Sequence, residues 1–156
     1  MILQSTRLVN ARPEHIWPYF FNAKMDDRYP LAFRLGLPKP IECRIIDGDG
    51  TPGSIRRCIT TRGNMDQTIL EADPYRKFSY ELVTSSYWGQ PFISSIRDEI
   101  TLEPAGPDQT RITRVTHFQG RGWPQSLITL VMRLGFMQAH RYAHENWQRL
   151  ALHHAA

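Results

Sequence analysis

Apolar and polar residues alternate along much of this chain, and the period turns helical only in its last stretch. Ile2 to Val9 reads as a first strand. Ile41 to Asp47, Ser54 to Thr61, Met65 to Ala72, Arg76 to Thr84, Phe92 to Glu103 and Gln109 to Phe118 read as six more. Gly48-Asp49-Gly50, Thr51-Pro52-Gly53, Arg62-Gly63-Asn64, Asp73-Pro74 and Pro104 to Asp108 supply the turns. Connections this short leave no room for crossover helices, so consecutive strands must pair antiparallel. After the first strand, Pro13 stands at an early helical position where its missing N–H costs nothing. Ile16, Trp17, Phe20 and Phe21 give that short helix an apolar stripe. A second, irregular helical piece runs from about Asp27 to Leu35, interrupted by Pro30 and closed by Gly36 and Pro38.

From about Pro124 to His154 the spacing is helical without interruption. At about 1.5 Å per residue this helix is roughly 45 Å long, enough to lie across a whole curved sheet. Leu127, Val131, Leu134, Gln138, Tyr142 and Leu150 form one stripe, expected to face the sheet. Met132, Phe136, Ala139, Ala143 and Trp147 form another, so the helix must be buried on more than one side. The short helices, the sheet rim or a second subunit could cover it, which makes a homodimer one expectation.

With 156 residues, 41% hydrophobic and 22% charged, the chain reads as one soluble folded domain, large enough for a core with a pocket. The formal charge of +4 comes from 19 basic against 15 acidic residues. Its arginines are scattered (Arg12, Arg28, Arg44, Arg76, Arg97, Arg111 and Arg133) rather than gathered in a stripe with aromatics, so nucleic acid is not an expected partner. No apolar run reaches membrane-spanning length, and no insertion is expected. The first residues lack a secretory signal pattern, and a cytoplasmic location is the expectation. Cys43 and Cys58 sit inside predicted strands without metal-ligand spacing. They read as two buried thiols of a reducing compartment rather than a disulfide.

The order of strand, two short helices, six strands and a long terminal helix resembles the helix-grip fold of the START-like, Bet v 1-like (SRPBCC) superfamily. Ala11-Arg12-Pro13-Glu14-His15-Ile16-Trp17 is similar to that family's passage from strand to helix. Gly53-Ser54-Ile55-Arg56-Arg57 is similar to its third-strand opening, and Asp73-Pro74-Tyr75-Arg76-Lys77-Phe78-Ser79-Tyr80 to its hairpin between the fourth and fifth strands. The resemblance implies an α+β fold, with a seven-stranded antiparallel curved sheet wrapped around the terminal helix. It also implies a cavity between sheet and helix that binds an apolar, aromatic or polycyclic small molecule. Some relatives, those of the polyketide cyclase/dehydratase branch, cyclise or dehydrate polyketides. An enzyme of that kind here would abstract a proton beside a carbonyl, then condense or lose water, with no metal or redox cofactor. Other relatives only carry or sense such ligands, and a filled cavity in a protein-interaction domain is a third reading. A shared fold does not choose among these.

Period-two alternation nominates the residues that would face the cavity. Phe78, Tyr80 and Leu82 share a face, as do Ile96, Asp98, Ile100 and Leu102, and Ile112, Arg114, Thr116 and Phe118. In the third strand the apolar pair Ile55 and Ile59 brackets Arg57. If those faces are concave, Arg57, Tyr80, Asp98 and Arg114 converge. A charge on an apolar face must be paired or near water, and Asp98 and Arg114 fall on hairpin neighbours. The pair could simply close one cavity end. Alternatively Asp98 accepts a proton or orients a ligand, Arg57 or Arg114 stabilises an enolate or carboxylate, and Tyr80 hydrogen-bonds a ligand oxygen. Phe78, Leu82, Ile96, Ile112, Thr116, Leu127, Val131 and Leu134 would form the apolar lining. Trp88, with Tyr87, Phe92, Phe33 and Leu35, would frame the mouth. His117 falls on the outer face. His140 and His144 have the i,i+4 spacing of a metal pair but no acidic partner, and beside Arg141 and Glu145 they read as a solvated face, so no metal site is expected.

Overall fold

The computed structural model describes residues 1–86, 90–122 and 125–155. In chain order its elements are β1 (Ile2–Val9), α1 (Pro13–Ile16), β2 (Ala23–Lys24), α2 (Leu31–Arg34), β3 (Pro40–Asp47), β4 (Ile55–Thr60), β5 (Gly63–Asp73), β6 (Lys77–Ser85), β7 (Ile93–Gly106), β8 (Gln109–Gly120) and α3 (Gln125–Ala155). Among the described residues the strands number eight, in one sheet ordered β1-β8-β7-β6-β5-β4-β3-β2. Every neighbouring pair is antiparallel. The sheet curls into a half-barrel with the 31-residue α3 in its grip.

The predicted helix-grip architecture is therefore present, with one strand more than the seven expected. The addition is β2, whose two residues pair with Glu42 and Cys43. Two residues cannot display an alternation, so no sequence period marks this strand.

Local chemistry explains the strand ends. Gly48, in the turn after β3, has φ 84°, and a Cβ there would collide with the Ser54 hydroxyl. That hydroxyl is needed where it is, because it accepts the Gly50 N–H at 3.1 Å. The turn in turn fixes the β3–β4 register, which sets Cys43 directly opposite Cys58. The two are joined in a disulfide, which corrects the expectation of two thiols. Cross-strand neighbours on one face come within bonding reach, and a separation of 15 along the chain does not advertise that proximity.

Two apolar clusters fill the grip. At one end Val9, Ile16, Phe20, Phe78, Ile100, Ile112 and Trp147 pack together, with Phe20 edge-on to Trp147 at 4.9 Å between ring centres. At the other end are Leu3, Ile93, Ile96, Phe118 and Phe136. Each cluster places rings and branched side chains from the sheet against α3. The candidate site lies where that apolar filling is incomplete.

Candidate functional site

Alternation along β4 puts Arg56, Cys58 and Thr60 on the buried face and leaves Ile55, Arg57 and Ile59 half-covered on the other. Arg56 lies opposite Gln67 of β5 in the ladder, and Tyr80 of β6 lies opposite Asp98 of β7. These inward side chains, Arg114 of β8 and the α3 residues Met132, Phe136, Ala139 and Ala143 surround a cavity of about 130 Å³. Most of its remaining wall is apolar, including Phe33, Leu37, Met65, Leu82 and Ile96. An apolar cavity of roughly 150 Å³ accommodates one benzene ring, so this space suits a single ring and its substituent.

The polar part of the wall is one connected cluster. Tyr80 donates its hydroxyl proton to Asp98 Oδ2 at 2.6 Å, and Arg114 Nη2 donates to the same oxygen at 2.7 Å. Arg114 Nη2 also donates to the Tyr80 oxygen at 3.1 Å, while its Nε reaches Asp98 Oδ1 at 3.3 Å. Thr116 donates to Asp98 Oδ1. Burial favours protonation of Asp98, but the Arg114 charge and these donors outweigh it and hold its pKa down at about 2. Burial pushes the Tyr80 hydroxyl up to about 12. Asp98 is thus a fixed carboxylate with its lone pairs engaged, suited to orienting its neighbours rather than to taking a proton.

Behind Thr116 the cluster continues to the helix. His140 Nε2 lies 2.7 Å from Thr116 Oγ1, and His140 Nδ1 lies 2.7 Å from Ser5 Oγ. Thr116 gives its only proton to Asp98, so it must accept from His140, which fixes the neutral Nε2–H tautomer. Ser5 then donates to Nδ1. Burial and the Arg114 charge push the His140 pKa down to about 3, consistent with that neutral ring. The result is a directed chain, Ser5 to His140 to Thr116 to Asp98, running from β1 through α3 to the cavity wall.

Arg56 is the second cation of the wall, only 6% exposed. Its Nε donates to Gln67 Oε1 at 2.9 Å, and Nη1 donates to the Phe20 carbonyl. Its guanidinium lies 4.5 Å from the centre of the Tyr80 ring.

Residues 2–152 match the family described as polyketide cyclase / dehydrase and lipid transport. The chain belongs to this family. Its fold is shared with solved structures of low sequence identity. The ZhuI aromatase/cyclase of Streptomyces sp. R1128 superposes with a TM-score of 0.72 at 13% identity, covering 100% of this chain and 96% of that one. Norcoclaurine synthase of Thalictrum flavum, as a point mutant, gives 0.66 at 19% identity, again covering 100% and 96%. A START superfamily protein of Mycobacterium smegmatis gives 0.68 at 14%, covering 96% and 98%. At these identities the likeness is one of fold. No curated protein is similar enough in sequence to count as a match.

In this member of the polyketide cyclase / dehydrase and lipid transport family, Tyr80, Asp98 and Arg114 come together on the cavity wall, joined by Leu82 and Ile96. Arg57 does not. It points to the opposite face of the sheet and holds Asp66 through two 2.7 Å hydrogen bonds. The isoleucines flanking it cover the outer surface of β4, so an apolar pair misreported the inward side. Phe78 and Ile112 are fully buried in the first apolar cluster rather than on the cavity. Thr116 is buried beside Asp98, its ladder partner, rather than on the cavity. Leu127, Val131 and Leu134 are 55%, 56% and 58% exposed, which corrects the N-terminal part of the predicted inward stripe of α3, while Tyr142 of the same stripe is buried and lines the cavity. Both stripes are apolar, so hydrophobic period alone does not set the phase; the small Ala139 and Ala143 lie on the true inner face. Trp88 and Tyr87 lie outside the described residues.

Arg56, Gln67 and His140 were not anticipated as members of the site. His140 and His144 are each 1% exposed, not solvated. The signal available was their place on the helix face shared by Ala139, Ala143 and Trp147. His144 stacks on Trp147 at 5.5 Å, and neither of its ring nitrogens has a hydrogen-bond partner among the described residues. His117 is on the outer face near Glu99, 3.7 Å away. Among the described residues no group of His, Cys, Asp and Glu has the arrangement of a metal site, and no helix is long and apolar enough to cross a membrane.

Proposed function

We propose that this protein binds an apolar, ring-containing small molecule between the sheet and α3, with an oxygen of the ligand turned toward Arg56, Tyr80 and Arg114. The observation that carries this reading is an apolar cavity of about 130 Å³ whose polar groups converge from separate strands. Membership of a family that joins polyketide cyclases with lipid-transport proteins supports binding of a hydrophobic ligand. Asp98 serves as the orienting carboxylate, Tyr80 and Arg114 as the groups it orients, and Leu82, Ile96, Met132 and Phe136 as the apolar walls. A cavity of about 130 Å³ suits one ring with its substituent.

The pairing of two guanidiniums in an apolar cavity favours one further reading, stabilisation of an enolate during cyclisation or dehydration. In that reading the arginines act electrostatically and Asp98 is not the base. Native mass spectrometry after gentle purification tests the binding reading. A retained small molecule, released on denaturation, is the expected result; a protein that neither retains a ligand nor takes up added aromatic compounds contradicts it.

A further inference from the structure

The cavity wall is electrically unbalanced. Among the described lining residues, two guanidiniums, Arg56 and Arg114, face one carboxylate, Asp98. Asp98 is committed to Arg114, its ion pair lying at 2.7 Å with side chains 3% and 11% exposed. Asp66, the other carboxylate near β4, is held by Arg57 on the opposite face of the sheet. Among the described residues, the hydrogen-bond partners of Arg56 are neutral, the Gln67 amide oxygen and the Phe20 carbonyl, and its guanidinium also lies over the faces of Tyr80 and Phe78. Arginine does not lose its proton in proteins. Its positive charge is therefore buried with no carboxylate of its own, sharing the field of Asp98 with Arg114, an arrangement that costs free energy unless an anion arrives.

We propose that the ligand is a small anion, a carboxylate carried on a single ring, and that Arg56 receives the carboxylate. This inference rests on the ligand-binding reading above and adds the charge and size of the ligand. A guanidinium presents a planar fork that matches a carboxylate, and in a water-poor cavity such a charge-assisted contact is stronger than a neutral one. The aromatic and aliphatic walls receive the ring, and a volume of about 130 Å³ suits a single ring with its substituent. Arg114, already neutralised by Asp98, acts through its remaining donors and adds no net charge.

The test compares benzoate with benzamide, which has nearly the same shape and no charge. Isothermal titration calorimetry on the full chain at pH 7 is expected to show benzoate binding at least about tenfold more tightly than benzamide. In Arg56→Gln that preference is expected to vanish, benzoate then binding no more tightly than benzamide; Arg56→Met provides the same comparison should the glutamine variant fail to fold. Equal affinity for the two compounds in the unaltered protein overturns the anion assignment and leaves the apolar cavity standing. Binding of neither compound at millimolar concentration overturns both. A benzoate preference that survives the loss of Arg56 shows that another group receives the anion and also overturns this proposal.

Discussion

Arg114 of β8 and Asp98 of β7, diagonal neighbours across the hairpin and joined at 2.7 Å, form a buried ion pair on the wall of a mostly apolar cavity. Tyr80 and Thr116 complete the carboxylate's hydrogen bonding. Breaking such a pair from one side leaves a buried charge without its partner. Asp98→Asn is therefore expected to lower unfolding stability by about 3–5 kcal/mol. Urea denaturation measures this directly; a loss under about 1 kcal/mol would show that the pair is solvated.

Two buried histidines give the fold a pH dependence. Burial, followed by the Arg114 charge, pushes both His140 and His144 from the usual 6.5 down to about 3. Between those values the unfolded chain takes up protons that the folded chain refuses, so stability falls as pH drops. The two sites together give up to about 2.7 kcal/mol per pH unit. Asp98, depressed from 3.8 to about 2, adds a further loss only below pH 3.8. Urea midpoints at pH 7 and pH 5 should differ clearly, and His144→Phe should shrink the difference. Identical midpoints would mean that the rings are protonated in the fold.

Gly135 allows Leu37 to lie against α3 beside the cavity. A Cβ at that position would collide with Leu37 Cδ1. An alanine replacing a helical glycine ordinarily adds about 0.8–1 kcal/mol of stability. Gly135→Ala should fail to show that gain, and Gly135→Ala combined with Leu37→Ala should recover it relative to Leu37→Ala alone. Additive effects in this double-mutant cycle would remove the proposed contact.

The Cys43–Cys58 bridge closes a loop with a sequence separation of 15. Loop-closure entropy assigns such a crosslink about 3 kcal/mol. Guanidinium denaturation with and without reductant should show a loss of that order, with two thiols titrating only after reduction. Two thiols reacting in the unreduced, denatured chain would contradict the bridge.

Much of the fold was legible in the linear pattern because turns and alternation are local. Gly48-Asp49-Gly50 and Asp73-Pro74 marked hairpins, and the unbroken spacing after Pro124 marked α3. The convergence of Tyr80, Asp98 and Arg114 was legible for the same reason, since each is a polar exception within an apolar strand face. Arg56 was not. Its own face carries Cys58 and Thr60, while the outer face carries Ile55 and Ile59, so hydrophobicity pointed away from the cavity. Helix α3 failed similarly, because two adjacent apolar stripes compete and only tertiary contact selects Met132, Phe136, Ala139 and Ala143. The disulfide and the His140 chain depend on cross-strand register and helix phase together, which no single segment contains.

The space between sheet and helix is proposed to receive an apolar small molecule. Methyl-resolved NMR with toluene as the probe tests it without reliance on charge or on the natural ligand. Saturable shifts at the methyl groups of Met65, Leu82, Ile96 and Met132 are the predicted result. Silence at those four positions, or shifts confined to the exposed Leu127, Leu130, Val131 and Leu134, would contradict it.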